Sequence, residues 1–485
     1  MRKLNVFDLI TWLYLYLPII IFGVSWLNPL LGWPLALVIV YMIWRGSFQP
    51  TTLPINWKKN WPYLLIALGG IICWALLSGL GGHFLQSYDW QKHNVLLNDF
   101  ISKSWPVHYH LAGKHGVVSY YIAEYLIPAL VGKLGGFNAA QNTLLVWIVI
   151  GLALLVLSIY KWVSKDNGYV LLLILFSLIL FSPFIYPLTG IYANWAPMDA
   201  GQMGEIGEWF SKTLKLQYTS NISLLRFVFP QFVPIALAVS IWLRNRYNYR
   251  LWGLILAPTV LYSTFTFLGL SMVMVLTVVA DLLWKKGRID WKKVFSLDNI
   301  LAIIVILILV LYICCNILQP KPADEQMRFD FIDVGAHKLA SITFQAAWII
   351  WILLLLKHEW RNSLLYIASL VLMTLPFFEY GAANDLVMRV SIPSLMIINL
   401  LVIKNIALYL RSDTYYAMIL IGALVIAGSG PLWQLKNAAV NHNIRHHSYN
   451  MPYQHGNDFF KSDKNVVYQY VDWHESELGR FIIRK

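Results

Sequence analysis

The amino-acid sequence predicts an all-α polytopic membrane protein with about 13 transmembrane helices. Of its 485 residues, 58% are hydrophobic and 13% are charged, which is too little charge to cover the surface of a soluble protein of this length. The apolar residues form uncharged runs, such as 144–159, 169–185 and 301–313, which reach the length of a membrane span together with their flanks. Many of the 22 Trp and 27 Tyr residues lie near the ends of such runs, where amphipathic rings favour the membrane interface. The lipid bilayer is therefore the first partner that we expect.

The order of the spans follows from the apolar runs and from the basic loops between them. We place the spans at 9–26, 30–45, 62–80, 144–160, 169–187, 224–243, 251–266, 267–284, 299–318, 339–356, 363–378, 390–403 and 414–431. Six of the intervening loops are basic: they carry Arg45, Lys58 and Lys59; Lys161 and Lys165; Arg244, Arg246 and Arg250; Lys285, Lys286, Arg288, Lys292 and Lys293; Lys357 and Arg361; and Lys404 and Arg411. Thirteen spans with a cytoplasmic N-terminus place all six loops in the cytoplasm, as the positive-inside bias requires. This bias also accounts for the net charge of +13, so we expect no nucleic-acid partner.

The same arrangement predicts a multi-pass protein of the cell (inner) membrane with large segments on the extracytoplasmic side. These segments are 81–143, 188–223, 319–338 and the tail after about 432. We divide the chain into a transmembrane domain (1–431), whose outer loop 81–143 carries the chemistry, and an extracytoplasmic tail (432–485) that packs against the outer loops. Segment 117–134 is apolar, but counting it as a span would invert every later loop. We therefore expect it to be a helix in the outer leaflet.

Outer loop 81–143 holds the most informative cluster of polar residues. Asp89, Lys92 and His93 follow one another at the helical spacing i, i+3, i+4, so that one helix face presents a carboxylate, a cation and a titratable ring. A carboxylate just above the bilayer can act as a general base, and cations beside it can hold an anionic substrate. Partial desolvation would raise the pKa of Asp89, and Lys92 and His93 would limit the rise. The alternative is an interfacial helix with ordinary solvated charges.

The loop resembles the first large outer loop of the glycosyltransferase C superfamily, which includes the lipid A aminoarabinose transferase and the protein O-mannosyltransferases. In that family, an acidic residue after a span precedes two juxtamembrane helices, and the second helix opens on a Pro-Pro-Leu-Tyr-Tyr-like segment and closes near Leu-Phe-Gly. This chain offers Asp89, Trp105-Pro106, Tyr120-Tyr121 and Leu134-Gly135. It lacks the prolines before the tyrosines and has one Asp where the family has an acidic pair. Three spans precede its loop where the family commonly has one.

The resemblance implies transfer of a sugar from a polyprenyl-phosphate donor to a glycan or lipid-glycan acceptor. Asp89 would be the base that activates the acceptor hydroxyl, and Asp99 or Asp199 would supply a second carboxylate. The carrier phosphate is the leaving group, so ATP and nucleotides are not required, and no Walker-type or other phosphate-binding glycine-rich loop is present. No spacing typical of a zinc site occurs among the histidines of the loop. We expect no cofactor, although a divalent metal stays possible.

Two further clusters are candidates for substrate binding. Arg389 lies at the edge of a span, four residues after Asp385, so the two form either a structural ion pair or a site in which Arg389 binds the lipid-linked phosphate. Arg226 and Gln231 begin another span on the outer side. Gln231 would hydrogen-bond a sugar or a neighbouring helix, and Arg226 would contact substrate or snorkel to the interface.

Two other function classes are compatible with a polytopic chain. A polysaccharide polymerase or ligase would use pyrophosphate-linked glycans and depend on outer-loop Arg and His in place of Asp89. A secondary transporter would have charges buried in mid-span and inverted repeats, and the sequence displays neither. We therefore expect a membrane glycosyltransferase.

Overall fold

A bundle of long apolar helices forms the body of the molecule, as the sequence predicts. The computed structural model describes residues 4–48, 55–86, 89–111, 114–163, 167–188, 209–211, 215–284, 289–317, 329–332, 338–381, 384–440, 470–472 and 477–484. Within these residues, ten helices are long and apolar enough to cross a membrane. Two shorter apolar helices, Phe229–Arg244 and Ser363–Phe377, accompany them. The protein is thus an all-α multi-pass membrane protein.

The long helices form the bundle, and the short strands lie in the segments that connect or follow them. The helices are α1 (Val6–Trp26), α2 (Pro29–Gly46), α3 (Trp57–Leu77), α4 (Trp90–Ser102), α5 (Ala123–Val163), α6 (Tyr169–Leu180), α7 (Asn221–Phe227), α8 (Phe229–Arg244), α9 (Trp252–Leu256), α10 (Thr259–Tyr262), α11 (Thr264–Trp284), α12 (Trp291–Val294), α13 (Leu297–Ile317), α14 (Lys338–Glu359), α15 (Ser363–Thr374), α16 (Asp385–Val390), α17 (Ile392–Tyr409), α18 (Thr414–Val440) and α19 (Glu477–Ile482). The strands are β1 (His108–Leu111), β2 (Lys114–Val118), β3 (Trp209–Ser211), β4 (Leu216–Gln217), β5 (Phe329–Phe331), β6 (Phe378–Tyr380) and β7 (Val471–Asp472). They form the small sheets β1-β2-β7, β3-β4 and β5-β6.

Helix starts in the bundle are set by local side-chain chemistry. Asn5, Asn28, Asn56 and Asn362 each cap a helix, because the side-chain oxygen accepts a hydrogen bond from a backbone N–H of the first turn. These caps explain why the helices at the predicted spans 9–26, 30–45 and 62–80 begin a few residues earlier than the apolar runs.

The predicted span at 251–266 is interrupted. The segment contains the short helices α9 and α10, with Pro258 between them, and Ser263 after α10 is in extended backbone. Proline has no N–H to donate, so it interrupts the hydrogen-bonded ladder. Arg250 at one end of the segment binds Asp298, whereas Thr264 at its other end lies beside Tyr121 in a cavity at the far end of the bundle. The segment therefore traverses the bundle as a broken helix.

The predicted outer-leaflet helix over 117–134 has different bounds in the structure. Residues 114–118 form β2, and α5 starts only at Ala123 and continues to Val163. Gly136, with φ 79° and ψ −175°, divides α5 into a short first part and a long second part. This backbone conformation is accessible almost only to glycine. The first part and α4 are the two helices that the sequence predicts for the outer loop.

Side-chain ion pairs bring the basic loops together at one end of the bundle, which we call the basic end. The pairs are Arg45–Asp298 (2.7 Å), Arg250–Asp298, Lys161–Asp8 (3.4 Å), Arg244–Asp8 (2.7 Å), Arg246–Asp281 (3.8 Å), Lys404–Glu359 (2.9 Å) and Lys357–Asp413 (2.6 Å). Each pair joins segments that are distant in sequence. Loops that the charge pattern assigns to one side of the membrane therefore do lie together.

The opposite end, which we call the loop end, is organised around β2. Strand β1 pairs with β2 on one side, and β7 from the C-terminal tail pairs with it on the other. The chain then returns to the bundle, where the backbone N–H of Arg484 donates to the Trp26 carbonyl at 2.9 Å. The described part of the tail thus packs against the outer loop, as expected.

Candidate active site

Helix α4 is held against the bundle by the aromatic face that begins with Trp90. The fully buried Trp90 ring stacks on Phe229 with centroids 5.0 Å apart, and its Nε1 donates to the Arg226 carbonyl at 3.0 Å. His93, one turn later, lies 4.8 Å from the same Phe229 ring. The short helix is therefore fixed in place, and Asp89 at its start has a defined position.

His93 is a neutral positioning residue in this arrangement. Its Nε2 lies 3.1 Å from the Phe227 carbonyl, which can only accept, so Nε2 carries the proton. Its Nδ1 then accepts a hydrogen bond from the Tyr125 hydroxyl. Burial, together with the nearby charge of Lys92, lowers the pKa of His93 to about 4. The ring therefore does not supply the positive charge that its spacing from Asp89 suggests.

Asp89 and Lys92 form an ion pair on the accessible side of α4. Lys92 Nζ lies 2.9 Å from Asp89 Oδ1, and both side chains are 28% exposed. Burial alone would raise the pKa of Asp89, but the charge and hydrogen bond of Lys92, with a contribution from Arg389, hold it below its ordinary value. Lys92 and Arg389 thus outweigh the rise in the pKa of Asp89 that burial would cause. Asp89 is ionised at neutral pH.

A cavity of about 320 Å³ opens at the loop end. Its polar wall contains Tyr120, Tyr121, Asp385 and Arg389. Its apolar wall comes from the start of α11 and the end of α13: Phe265, Phe267, Leu268, Val310 and Ile313. Leu268 is 43% exposed on the outer surface of the bundle. A chamber with one charged wall and one apolar wall suits an amphipathic ligand.

Arg389 is the central cation of the cavity. Its Nη2 binds Asp385 Oδ1 at 2.9 Å, and its Nη1 donates to the Tyr121 hydroxyl at 2.7 Å. Its Nε is buried and has no hydrogen-bond partner among the described residues. A buried unsatisfied guanidinium N–H is costly, so it creates a demand for an acceptor. The geometry is compatible with both interpretations of Asp385 and Arg389, as a structural ion pair and as a phosphate-binding site, because both residues line the cavity.

The tight turn before Asp385 explains how the pair reaches the cavity. Gly381 has a φ of 87°, and a Cβ there would lie 3.1 Å from Asp385 Oδ2. Asn384 adopts a φ of 51°, and its side-chain oxygen accepts from the Tyr380 N–H at 3.3 Å. Glycine and asparagine are the residues that most readily adopt this left-handed backbone. The turn thus brings the start of α16 close to Tyr380.

Tyr121 joins the cavity to the bundle core. Its hydroxyl accepts from Gln231 Nε2 at 2.9 Å in addition to Arg389, and Gln231 Oε1 accepts from the Ser263 hydroxyl at 3.4 Å. Burial, opposed in part by Arg389, raises the pKa of Tyr121 to about 12, so the phenol stays neutral. Of the two options for Gln231, the structure displays the contact with a neighbouring segment of the bundle.

The C-terminal tail contributes Tyr470 to the same region. The Tyr470 ring lies 4.1 Å from the Tyr120 ring, which lies 3.5 Å from Tyr121, and the Ser119 N–H donates to the Tyr470 carbonyl at 2.9 Å. Burial opposes the charge of Lys92, but Tyr470 and Asp89 raise the pKa of Lys92 above the ordinary range. Tyr470 thus contacts Tyr120 of the cavity and interacts electrostatically with Lys92, and Arg389 of the cavity interacts in the same way with Asp89. These groups constitute one site.

The side chains of Asp99 and Arg226, two further predicted residues, bind partners outside this arrangement. Asp99 is fully buried, accepts from the Tyr109 hydroxyl at 2.7 Å and pairs with Lys103 at 3.3 Å, so it joins α4 to β1. Arg226 is buried rather than snorkelling, and its Nη1 donates to the Gln434 carbonyl at 3.5 Å. Asp199 lies outside the described residues.

Sequence reasoning missed Tyr470 and the hydroxyl of Tyr121 as site residues. Tyr121 belongs to the Tyr-Tyr pair of the family resemblance, but nothing in the sequence indicates its contact with Arg389, which is 268 residues away. Tyr470 opens the tail segment 470–477, which is rich in aromatic and acidic residues, and this composition is the one available signal.

Metal binding finds no support in the part of the chain that the structure describes. No group of three or more His, Cys, Asp or Glu residues that could hold an ion occurs there. His110 and His115 face each other across β1 and β2 with ring centroids 4.2 Å apart, but two ligands do not make a site.

No protein-family model, curated protein or solved structure matches the chain. Its function is therefore inferred from the residues of the site alone.

Proposed function

We propose that the protein is a membrane glycosyltransferase that moves a sugar from a polyprenyl-phosphate donor to a hydroxyl of a glycan or lipid-glycan acceptor. The observation that carries the proposal is Arg389, which lines a cavity with an apolar wall and whose buried Nε has no hydrogen-bond partner among the described residues. A prenyl phosphate has two parts that match the cavity: a phosphate group that can accept hydrogen bonds from the guanidinium of Arg389, and an isoprenoid chain that packs on Phe265 and Leu268. The proposed donor thus satisfies a buried polar group and an apolar surface together.

Asp89 is the general base of the proposed reaction. It takes the proton of the acceptor hydroxyl while that oxygen attacks the anomeric carbon. The bond between this carbon and the phosphate oxygen breaks, and the prenyl phosphate departs with the bonding electrons. Arg389 and Lys92 offset the negative charge on the leaving phosphate. A single displacement of this kind inverts the anomeric configuration.

The lowered pKa of Asp89 is compatible with this role. The carboxylate is ionised in the free protein, so it is ready to accept a proton. A bound phosphate brings negative charge towards Lys92 and Arg389 and weakens their effect on Asp89. Donor binding therefore raises the pKa of Asp89 towards a range in which a general base is effective.

The proposed location is the cell (inner) membrane, with the basic end in the cytoplasm and the loop end on the extracytoplasmic side. The grouping of the basic loops at one end supports this orientation, because positively charged loops are retained in the cytoplasm. An acceptor on the outer face would then reach Asp89 from the aqueous side.

Binding of farnesyl phosphate, a short prenyl monophosphate, tests the donor assignment. We expect purified protein in detergent to bind it, and we expect Arg389→Lys to weaken binding by about 10- to 100-fold, because lysine keeps the charge but loses the planar fork. Arg361→Lys is the matched control, since Arg361 is exposed and packs on Trp360 in the basic loop between α14 and α15. Equal affinity in wild type and Arg389→Lys would contradict the proposal. Markedly tighter binding of farnesyl pyrophosphate would favour a polymerase or ligase that uses pyrophosphate-linked glycans.

A further inference from the structure

Strands β5 and β6 form a two-stranded sheet with unlike faces, which we call the aromatic sheet. In its register Phe329 pairs with Tyr380, Asp330 with Glu379, and Phe331 with Phe378. Directly opposed residues share a face, and successive residues of a strand alternate between faces. One face therefore carries four aromatic rings and the other carries two carboxylates.

The aromatic face is exposed. Phe329 is 55% exposed and Phe331 is 77% exposed, and each lies 5.4 Å from the Phe378 ring between centroids. On the opposite face, Lys215 Nζ binds Glu379 Oε1 at 2.8 Å. The sheet is thus anchored to the protein by its polar face. Its phenylalanines are left without a covering segment among the described residues.

The aromatic sheet continues into the lipid-facing surface of the bundle. Its strand β6 follows directly after α15 and the turn that ends at Phe377. Leu370 and Met373 of α15 and Phe377 of the turn are also exposed. These residues belong to an apolar helix of a membrane-spanning bundle, so hydrocarbon is the medium that surrounds them. The occupant that fits the phenylalanines is therefore the lipid of the adjacent leaflet, because amphipathic elements at the membrane boundary bury their apolar face in it.

The same sheet forms the rim of the cavity. Tyr380, on the aromatic face, lies 6.0 Å from Phe265 between ring centroids, and both residues line the cavity that contains Arg389. The Arg389 guanidinium carbon in turn lies 5.8 Å from the centre of the Phe265 ring. Aromatic residues thus extend from the exposed phenylalanines to Arg389, through Tyr380, which is paired with Phe329 in the sheet.

We propose that the aromatic sheet inserts Phe329 and Phe331 into the lipid interface and forms the entrance by which a lipid passes from the leaflet into the cavity. The insertion is independent of the proposed reaction. The passage of a prenyl phosphate through this entrance rests on the proposed function.

A depth measurement tests the insertion. The three native cysteines are replaced by alanine, and Phe331→Cys and Asp330→Cys are each labelled with the environment-sensitive dye NBD in vesicles of phosphatidylcholine and phosphatidylglycerol. We expect the dye at 331 to emit at shorter wavelength and to be quenched by spin-labelled lipid, and the dye at 330 to be quenched by aqueous iodide. Both positions are exposed, so labelling leaves the core intact. Equal iodide quenching at the two positions would overturn the insertion.

A second measurement tests the entrance. In Phe329→Ser with Phe331→Ser, we expect the rate at which a vesicle-borne long-chain prenyl phosphate occupies the cavity to fall severalfold. Affinity for farnesyl phosphate in detergent should stay unchanged, because the cavity itself is intact. An unchanged vesicle rate alongside normal farnesyl phosphate binding would overturn the entrance alone. A wild-type protein that binds neither lipid would overturn the proposed function and leave the depth result standing.

Discussion

At the scale of single residues, the ionisation of Asp89 depends on two cations, Lys92 and Arg389. Lys92 lies in direct contact with it, Arg389 acts from the cavity, and His93 is held neutral by burial. Burial raises the pKa of a carboxyl group, and the two permanent cations more than reverse that effect. The ionisation of Asp89 is therefore a balance that a single substitution can shift.

Replacing Lys92 with methionine should shift the acid limb of the pH–rate profile. The proposed reaction requires ionised Asp89, whose pKa lies below its ordinary value, so we expect activity at neutral pH and its loss as the pH falls through that pKa. Without Lys92, burial is opposed mainly by Arg389, and the acid limb should move to higher pH. The pH dependence of prenyl phosphate release measures it. Lys103→Met, beside Asp99, is the control, and an unmoved acid limb in Lys92→Met would contradict the assigned coupling.

At the scale of secondary-structure elements, the outer loop depends on where helices bend and stop. Helix α5 changes direction at Gly136, so its first part belongs to the loop and its second part to the bundle. Hydropathy alone located the second part, because an apolar run marks a span. It did not locate the end of β2 or the start of α5, because the predominantly apolar run 117–134 continues across both. Pairing with the distant tail decides which of its residues are extended.

Gly136→Ala should destabilise the protein through backbone strain alone. A Cβ at Gly136 would meet no atom within 4 Å, so the cost comes from its φ of 79° and amounts to about 1–3 kcal/mol. Gly422→Ala is the matched control, because Gly422 is also free of neighbours but lies within α18 without a positive φ. Alanine there should stabilise the helix by roughly 0.5–1 kcal/mol. Denaturation midpoints in detergent compare the two, and equal effects would contradict the assignment of a glycine-dependent bend.

At the scale of the whole molecule, charge pattern and hydropathy were sufficient to group the loops, but not to assemble the site. The basic loops meet at one end because their Arg and Lys residues pair with carboxylates of other loops. Of the residues predicted for the site, Asp89, Lys92, Asp385 and Arg389 belong to the observed cluster, where charge next to an apolar run is a visible signal, whereas the side chains of Asp99 and Arg226 bind elsewhere. The contribution of Tyr470 was not visible, since a strand of two residues from the far end of the chain leaves no periodic pattern.

Accessibility of introduced cysteines should establish which end faces the cytoplasm. Ser104 is exposed at the loop end and Ser412 is exposed at the basic end. In a background without native cysteines, Ser104→Cys should react with an impermeant thiol reagent in intact cells. Ser412→Cys should react only after the membrane is opened, because basic loops are retained inside. The reverse pattern would place the site in the cytoplasm and contradict the proposed location.

The most direct test of the proposed function is the release of prenyl phosphate by reconstituted Asp89→Asn protein from a panel of prenyl-phosphate sugars with glycan acceptors. Asparagine keeps the shape of the side chain and removes its basicity, so turnover should fall by about 10²–10⁴-fold while farnesyl phosphate still binds. Asp99→Asn is the comparison, since Asp99 joins α4 to β1 and should affect stability more than turnover. Near-normal turnover in Asp89→Asn with loss in Asp199→Asn would mean that the base is misassigned. Full activity in all three variants would contradict the glycosyltransferase mechanism itself.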